Sequence, residues 1–110
     1  MSTIKYVHIR PGVTYDTAAK KLTGSPLPKG GVTIAFTYDE LSGNIDVAIA
    51  RCHERDAYSR QRGRQIAGGR LSAGLCQLML SLPKDKGMVE HVVEQVGGWL
   101  EYHDNLRAAA

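Results

Sequence analysis

The feature that most constrains this chain is a run of alternation between Val32 and Arg51. In VTIAFTY, Val32, Ile34, Phe36 and Tyr38 alternate with Thr33, Ala35 and Thr37. In IDVAIARC, Ile45, Val47, Ile49 and Arg51 alternate with Asp46, Ala48 and Ala50. Such alternation of β-branched and aromatic residues places one set on each face of a strand. The intervening DELSGN is a polar turn containing Gly43-Asn44, so the two runs predict a β-hairpin. One face of that hairpin is bulky and apolar and needs a cover.

Downstream segments predict the cover. Asp56 can cap a helix through AYSRQRGRQIA to about Ala67, with Gly68-Gly69 interrupting it. A second helical stretch is predicted over Leu71–Leu80, stopped by Pro83, and Lys84 to Lys86 form a charged turn. A last helix, from about Gly87 to His103, carries Val89, Val92, Val93, Val96, Trp99 and Leu100 on one amphipathic stripe, which makes Trp99 a core residue. The tail, LRAAA, reads as a frayed end. Upstream, TIKYVHIR reads as a strand ended by Pro11 and Gly12. Val13–Thr23 reads as a short helix with Thr14 at its N-cap, and the Gly/Pro/Ser cluster from Gly24 to Gly31 as a surface loop. The expected architecture is a single α+β domain over residues 1–110: an antiparallel sheet of about three strands with helices packed on one face.

Length and composition bound the remaining classes. A chain of 110 residues fits one domain, and 43% hydrophobic residues argue against disorder. No stretch approaches the roughly 18 apolar residues of a membrane span, and the start, MSTIKYVHIR, lacks the apolar segment of a signal peptide, so the expected compartment is the cytoplasm. Cys52 and Cys76 form no CxxC, and no His/Cys spacing resembles a zinc site. Two partly buried free thiols, no metal and no cofactor are the expectation. His53 beside Cys52 does not make a catalytic pair, because neighbours on an extended segment point to opposite sides. His8 reads as a polar strand position, and His91 and His103 are too far apart on the last helix to share a metal.

Charge is distributed unevenly. Six of the eight arginines, Arg51, Arg55, Arg60, Arg62, Arg64 and Arg70, fall between residues 51 and 70, against only Glu54 and Asp56. That window is four positive, while the other 90 residues are one negative overall. At about 100° per residue, Ser59, Gly63, Ile66 and Ala67 share the inward side of a helix. Arg60 and Arg64 then project together on the far side, with Tyr58 and Arg62 on a flank and Gln61 and Gln65 between. Guanidinium groups make bidentate contacts to phosphate, glutamines can hydrogen-bond sugar or base edges, and Tyr58 could stack on an unpaired base. The same arginines could instead dock on an acidic protein surface or form a solvated face.

From Gly31 to Leu71 the chain resembles small bacteriophage and prophage proteins of uncharacterised role, with a hairpin ending in ARC followed by D-x-[FY]-S-R-x-x-G-R-x-I-A-x-G-R-L. The matching residues are Asp56, Tyr58, Ser59, Arg60, Gly63, Arg64, Ile66, Ala67, Gly69, Arg70 and Leu71. The resemblance covers about 40 residues and implies a setting, in which small proteins act by binding. Two expectations follow. The first is a non-enzymatic accessory protein that binds DNA or RNA through Arg51, Arg55, Tyr58, Arg60, Gln61, Arg62, Arg64 and Arg70. The alternative is a protein–protein effector that inhibits a host nucleic-acid enzyme or defence complex through an acidic surface. A homodimer is compatible with both, and no membrane partner is expected.

Overall fold

The computed structural model describes residues 3–10, 13–16, 18–19, 21–24 and 29–109. The expected hairpin is its centre. Strand β4 (Lys29–Asp39) pairs antiparallel with β5 (Asn44–Ala57), Ile34 opposite Ile49 and Phe36 opposite Val47. The turn closes with the Gly43 N–H donating to the Asp39 carbonyl at 2.8 Å, and Gly43 takes a φ of +74°, where a side chain would be strained. Strand β1 (Lys5–Ile9) pairs with the other edge of β4, and β6 (Leu78–Ser81) with β5, giving the order β1-β4-β5-β6. A separate two-stranded ribbon joins β2 (Val13–Asp16) to β3 (Lys21–Gly24).

The sheet carries a helix on each face, where the sequence pattern predicts both on one. Helix α2 (Met88–Ala109) covers the bulky face: its Val92 and Val96 are buried against Ile34, Phe36, Ile45, Val47 and Ile49. Helix α1 (Arg60–Ser72) covers the opposite face, where Ala67 and Leu71 pack on Ala35, Ala48 and Ala50. Residues that looked like the solvent side of the hairpin are small enough to be covered as well. No described helix is long and apolar enough to cross a membrane.

Several segments depart from their predicted state. Residues 13–24 form the β2–β3 ribbon rather than a helix; Thr14 faces Thr23 in register, a cross-strand pair instead of a cap. Asp56 lies in β5, and Ser59 is the N-cap of α1, its hydroxyl accepting from the Arg62 N–H at 3.2 Å. Gly68-Gly69 lie inside α1 and do not interrupt it; a β-carbon at 68 would strike the Tyr6 hydroxyl, while the space at 69 is open. Gly74, at φ +76°, ends the helix region that was predicted to resume over Leu71–Leu80, and the Leu75 N–H returns to the Arg70 carbonyl at 2.8 Å. Leu78 and Leu80 then alternate inward as β6. At the chain end, α2 stays helical through Ala109 where fraying was expected. Gly24 closes β3 and Lys29–Gly31 open β4, narrowing the predicted loop; Pro11 and Gly12 lie outside the described residues.

Candidate functional site

Helix α1 sits close to the sheet because its inner face has almost no side chains. A β-carbon at Gly63 would lie 2.8 Å from the Thr33 β-carbon and closer still to its hydroxyl. Thr33 is completely buried in the central strand, so its Oγ1 must be satisfied internally. Two partners supply this: Tyr58 Oη at 2.9 Å and His8 Nδ1 at 3.1 Å. Tyr58 Oη and His8 Nδ1 are themselves 2.6 Å apart, closing a three-way cluster across β1, β4 and the segment leading into α1.

Arg64 fixes the protonation state of that cluster. Its Nε–H donates to His8 Nε2 at 3.3 Å, so this ring nitrogen is the acceptor and Nδ1 carries the proton. Burial lowers the His8 pKa, and the nearby Arg64 and Arg60 charges lower it further, so the ring is neutral at pH 7. Burial raises the Tyr58 hydroxyl, keeping it a protonated donor and acceptor. The Tyr58 ring is packed as well: a β-carbon on Gly31 would lie 2.7 Å from it, and the Arg10 guanidinium lies 5.0 Å from its centroid. The ring is therefore half-buried, with part of it lining a groove beside α1.

The predicted arginines separate into two groups. Arg51 points to the other side of the sheet, where its two terminal nitrogens bind the Asp104 carboxylate of α2 at 2.8 and 3.1 Å. Arg70 donates to the Ile49 carbonyl, which Gln77 Nε2 also reaches at 2.8 Å; Gln77 Oε1 accepts the Ile49 N–H at 2.9 Å. Arg70 and Gln77 thereby complete the β5 backbone beyond the end of β6. Arg64, expected to project freely with Arg60, is held on His8. Arg51, Arg64 and Arg70 thus have structural partners.

Arg55, Arg60 and Arg62 are exposed and form no ion pair with any described residue. Arg60 and Arg62 lie in the first turn of α1, which holds no acidic residue. Gln61 between them is exposed too. Unpaired N–H groups and the helix dipole make this end electropositive before any side chain is counted. Arg55 stands on an excursion of β5: between Cys52, opposite Gly31, and Ala57, opposite Lys29, four residues of β5 face one of β4. The Cys52 thiol points to the carbonyls of His53, Asp56 and Ala57 at 3.5–3.7 Å, holding the excursion against the strand. Cys52 and Cys76 are both free and half-buried.

Between this excursion and the start of α1 lies a groove of about 520 Å³. Thr33, Ala50 and Gly63 are among its lining, with Asp56 and Arg62. No sequence signal pointed to it, because its lining is assembled from β4, β5 and the start of α1, which are separated along the chain. Comparison with protein families, curated proteins and solved structures finds no match to this chain.

Proposed function

We propose that this protein is a non-enzymatic binder of nucleic acid, contacting phosphates with Arg55 on the β5 excursion and with Arg60 and Arg62 at the N-terminal end of α1. The observation that carries the reading is the electrostatic conflict there. Two guanidinium groups occupy the positive end of a helix whose first turn lacks any carboxylate. Each such cation costs about 0.3–1 kcal/mol of folding stability, and a bound anion relieves that cost. Features that oppose local folding rules concentrate at functional sites. The phage-type accessory setting implied by the resemblance fits a small binding protein of this kind.

A second reading rests on Ile66. It is 38% exposed and borders the same groove as Arg62, and an apolar side chain beside arginine is the composition of a protein-docking hot spot. In that reading the partner is a host protein with an acidic surface.

The test is fluorescence anisotropy with labelled DNA and RNA at about 50 and 200 mM salt. Three phosphate contacts predict an affinity loss over that range of roughly 40-fold on a duplex and roughly 20-fold on a single strand. Arg60→Ala/Arg62→Ala should abolish most of the binding while leaving the melting temperature unchanged or higher. Unchanged affinity in that folded variant overturns the reading, and absence of binding at low salt favours the protein partner.

A further inference from the structure

Resting on that reading, we infer that the groove beside α1 receives a base from an unpaired strand, which makes the protein a single-strand binder. The groove's volume, about 520 Å³, lies within the range of roughly 300–1,000 Å³ typical of small-molecule sites. Thr33, Ala50 and Gly63, all small, are among the residues that line it.

The chemistry of the walls selects what enters. Arg62 lines it from the α1 side and Asp56 from the β5 excursion, so charged residues of both signs border the recess. A phosphate there would meet the Asp56 charge. A neutral ring with donors and acceptors on its edge matches both walls, and Ile66 adds apolar contact. Arg55 and Arg60, exposed and not among the lining residues, are left to meet the phosphates flanking an inserted base. A base inside a duplex cannot reach a recess without being extruded, at the cost of unpairing and unstacking, whereas a single strand presents it freely.

The experiment compares four labelled ligands with the intact protein: a single-stranded DNA 12-mer, its RNA counterpart, a DNA hairpin duplex, and the DNA 12-mer with abasic sites at its centre. The slot predicts that one of the single strands binds on the order of tenfold tighter than the duplex, and that base removal erases this advantage. Ala57→Phe, at an exposed position on the groove wall, should lower single-strand affinity to the duplex level and leave duplex affinity unchanged. A second measurement is independent of that variant's folding. In a Cys76→Ala background, the bound 12-mer should slow alkylation of Cys52, which lines the groove, at least fivefold, and the abasic strand should not. Equal binding of intact, abasic and duplex ligands, or Cys52 alkylation indifferent to the base, overturns the slot and leaves the phosphate surface standing. Absence of binding to all four overturns the nucleic-acid reading itself.

Discussion

Replacing Gly63 by alanine tests the central packing claim, that α1 reaches β4 only because it carries no side chain there. In a solvent-exposed helix this change stabilises by about 1 kcal/mol, because alanine has the higher helix propensity. Here the new β-carbon would lie 2.8 Å from the Thr33 β-carbon, where ordinary contact begins at 3.4 Å, so the layers must part by about 0.6 Å at that point and more at the hydroxyl. Thr33 cannot yield easily, being fully buried in the central strand with its Oγ1 bonded to Tyr58 and His8. Moving α1 instead loosens Ala67 and Leu71 on Ala35, Ala48 and Ala50. Overpacking of this kind costs about 1–3 kcal/mol, and the rigid obstacle puts it at the upper end. Subtracting the propensity gain leaves a net loss of about 2 kcal/mol, or roughly 8 °C in melting temperature for a chain of this size. The control is Gly69→Ala, six residues along the same helix, where nothing lies within 4 Å of the added carbon. It should gain about 0.5–1 kcal/mol. Urea unfolding followed by circular dichroism reads both. If Gly63→Ala is as stable as Gly69→Ala, the close contact between α1 and β4 does not exist.

Two further outcomes follow from the hydrogen bonds. The folded pKa of His8 is lowered from 6.5, so the unfolded chain takes up a proton first as pH falls: stability should be level above about pH 7.5 and decline below 6.5 until the lower folded pKa is reached. Urea midpoints at pH 8 and 5.5 should show that decline in the wild type and a shallower one in His8→Gln; a midpoint that rises on acidification contradicts the neutral ring. Arg51→Ala removes a pair whose side chains are 42% and 49% exposed, so it should cost under about 1 kcal/mol by urea unfolding and change nucleic-acid affinity less than twofold by anisotropy. A tenfold loss of affinity would return Arg51 to the binding surface.

The parts of the fold that were legible are those where one periodicity runs long enough to exclude the other. Val32–Tyr38 and Ile45–Arg51 alternate over seven residues each, and the α2 stripe from Val89 to Leu100 spans three turns. Leu78–Ser81 is four residues long, and its inward Leu78 and Leu80 suit the edge of a helix as well as a strand. What decides it is β5, whose Ile45 and Val47 need partners, and that need is not encoded near residue 78. The two glycines at 68 and 69 misled for a related reason. Glycine signals a break when its backbone freedom is used, yet Gly68 is helical and used for its size, against a tyrosine 62 positions away. The His8–Thr33–Tyr58 cluster was out of reach because its members are 25 to 50 residues apart and become neighbours only once β1, β4 and α1 assemble. One trace was readable: Thr33 shares a strand face with Ala35, opposite Ala50 and Ala48, and the helix meets that face with glycine and alanine.

That small-residue interface also explains why the arginine signal was visible before its meaning was. A helix whose inner face is Gly63, Ala67 and Gly68 has little apolar stripe, so its sequence is dominated by the residues facing out. Counting those residues yields one basic block, but the structure divides it by direction. Arg64 turns down to His8, Arg70 reaches across to the Ile49 carbonyl, and Arg51 leaves the face to pair with Asp104. Of the cations left without a described partner, Arg60 and Arg62 stand where the helix dipole makes them least favourable, and Arg55 stands on the β5 excursion. Folding alone would be better served there by aspartate or glutamate, which stabilise a first turn by the amount arginine forfeits. Stability spent on an unfavourable charge is retained when another interaction repays it. Removing Arg60 and Arg62 should therefore raise stability and abolish binding together, an inverse relation that an incidental solvated face would not produce.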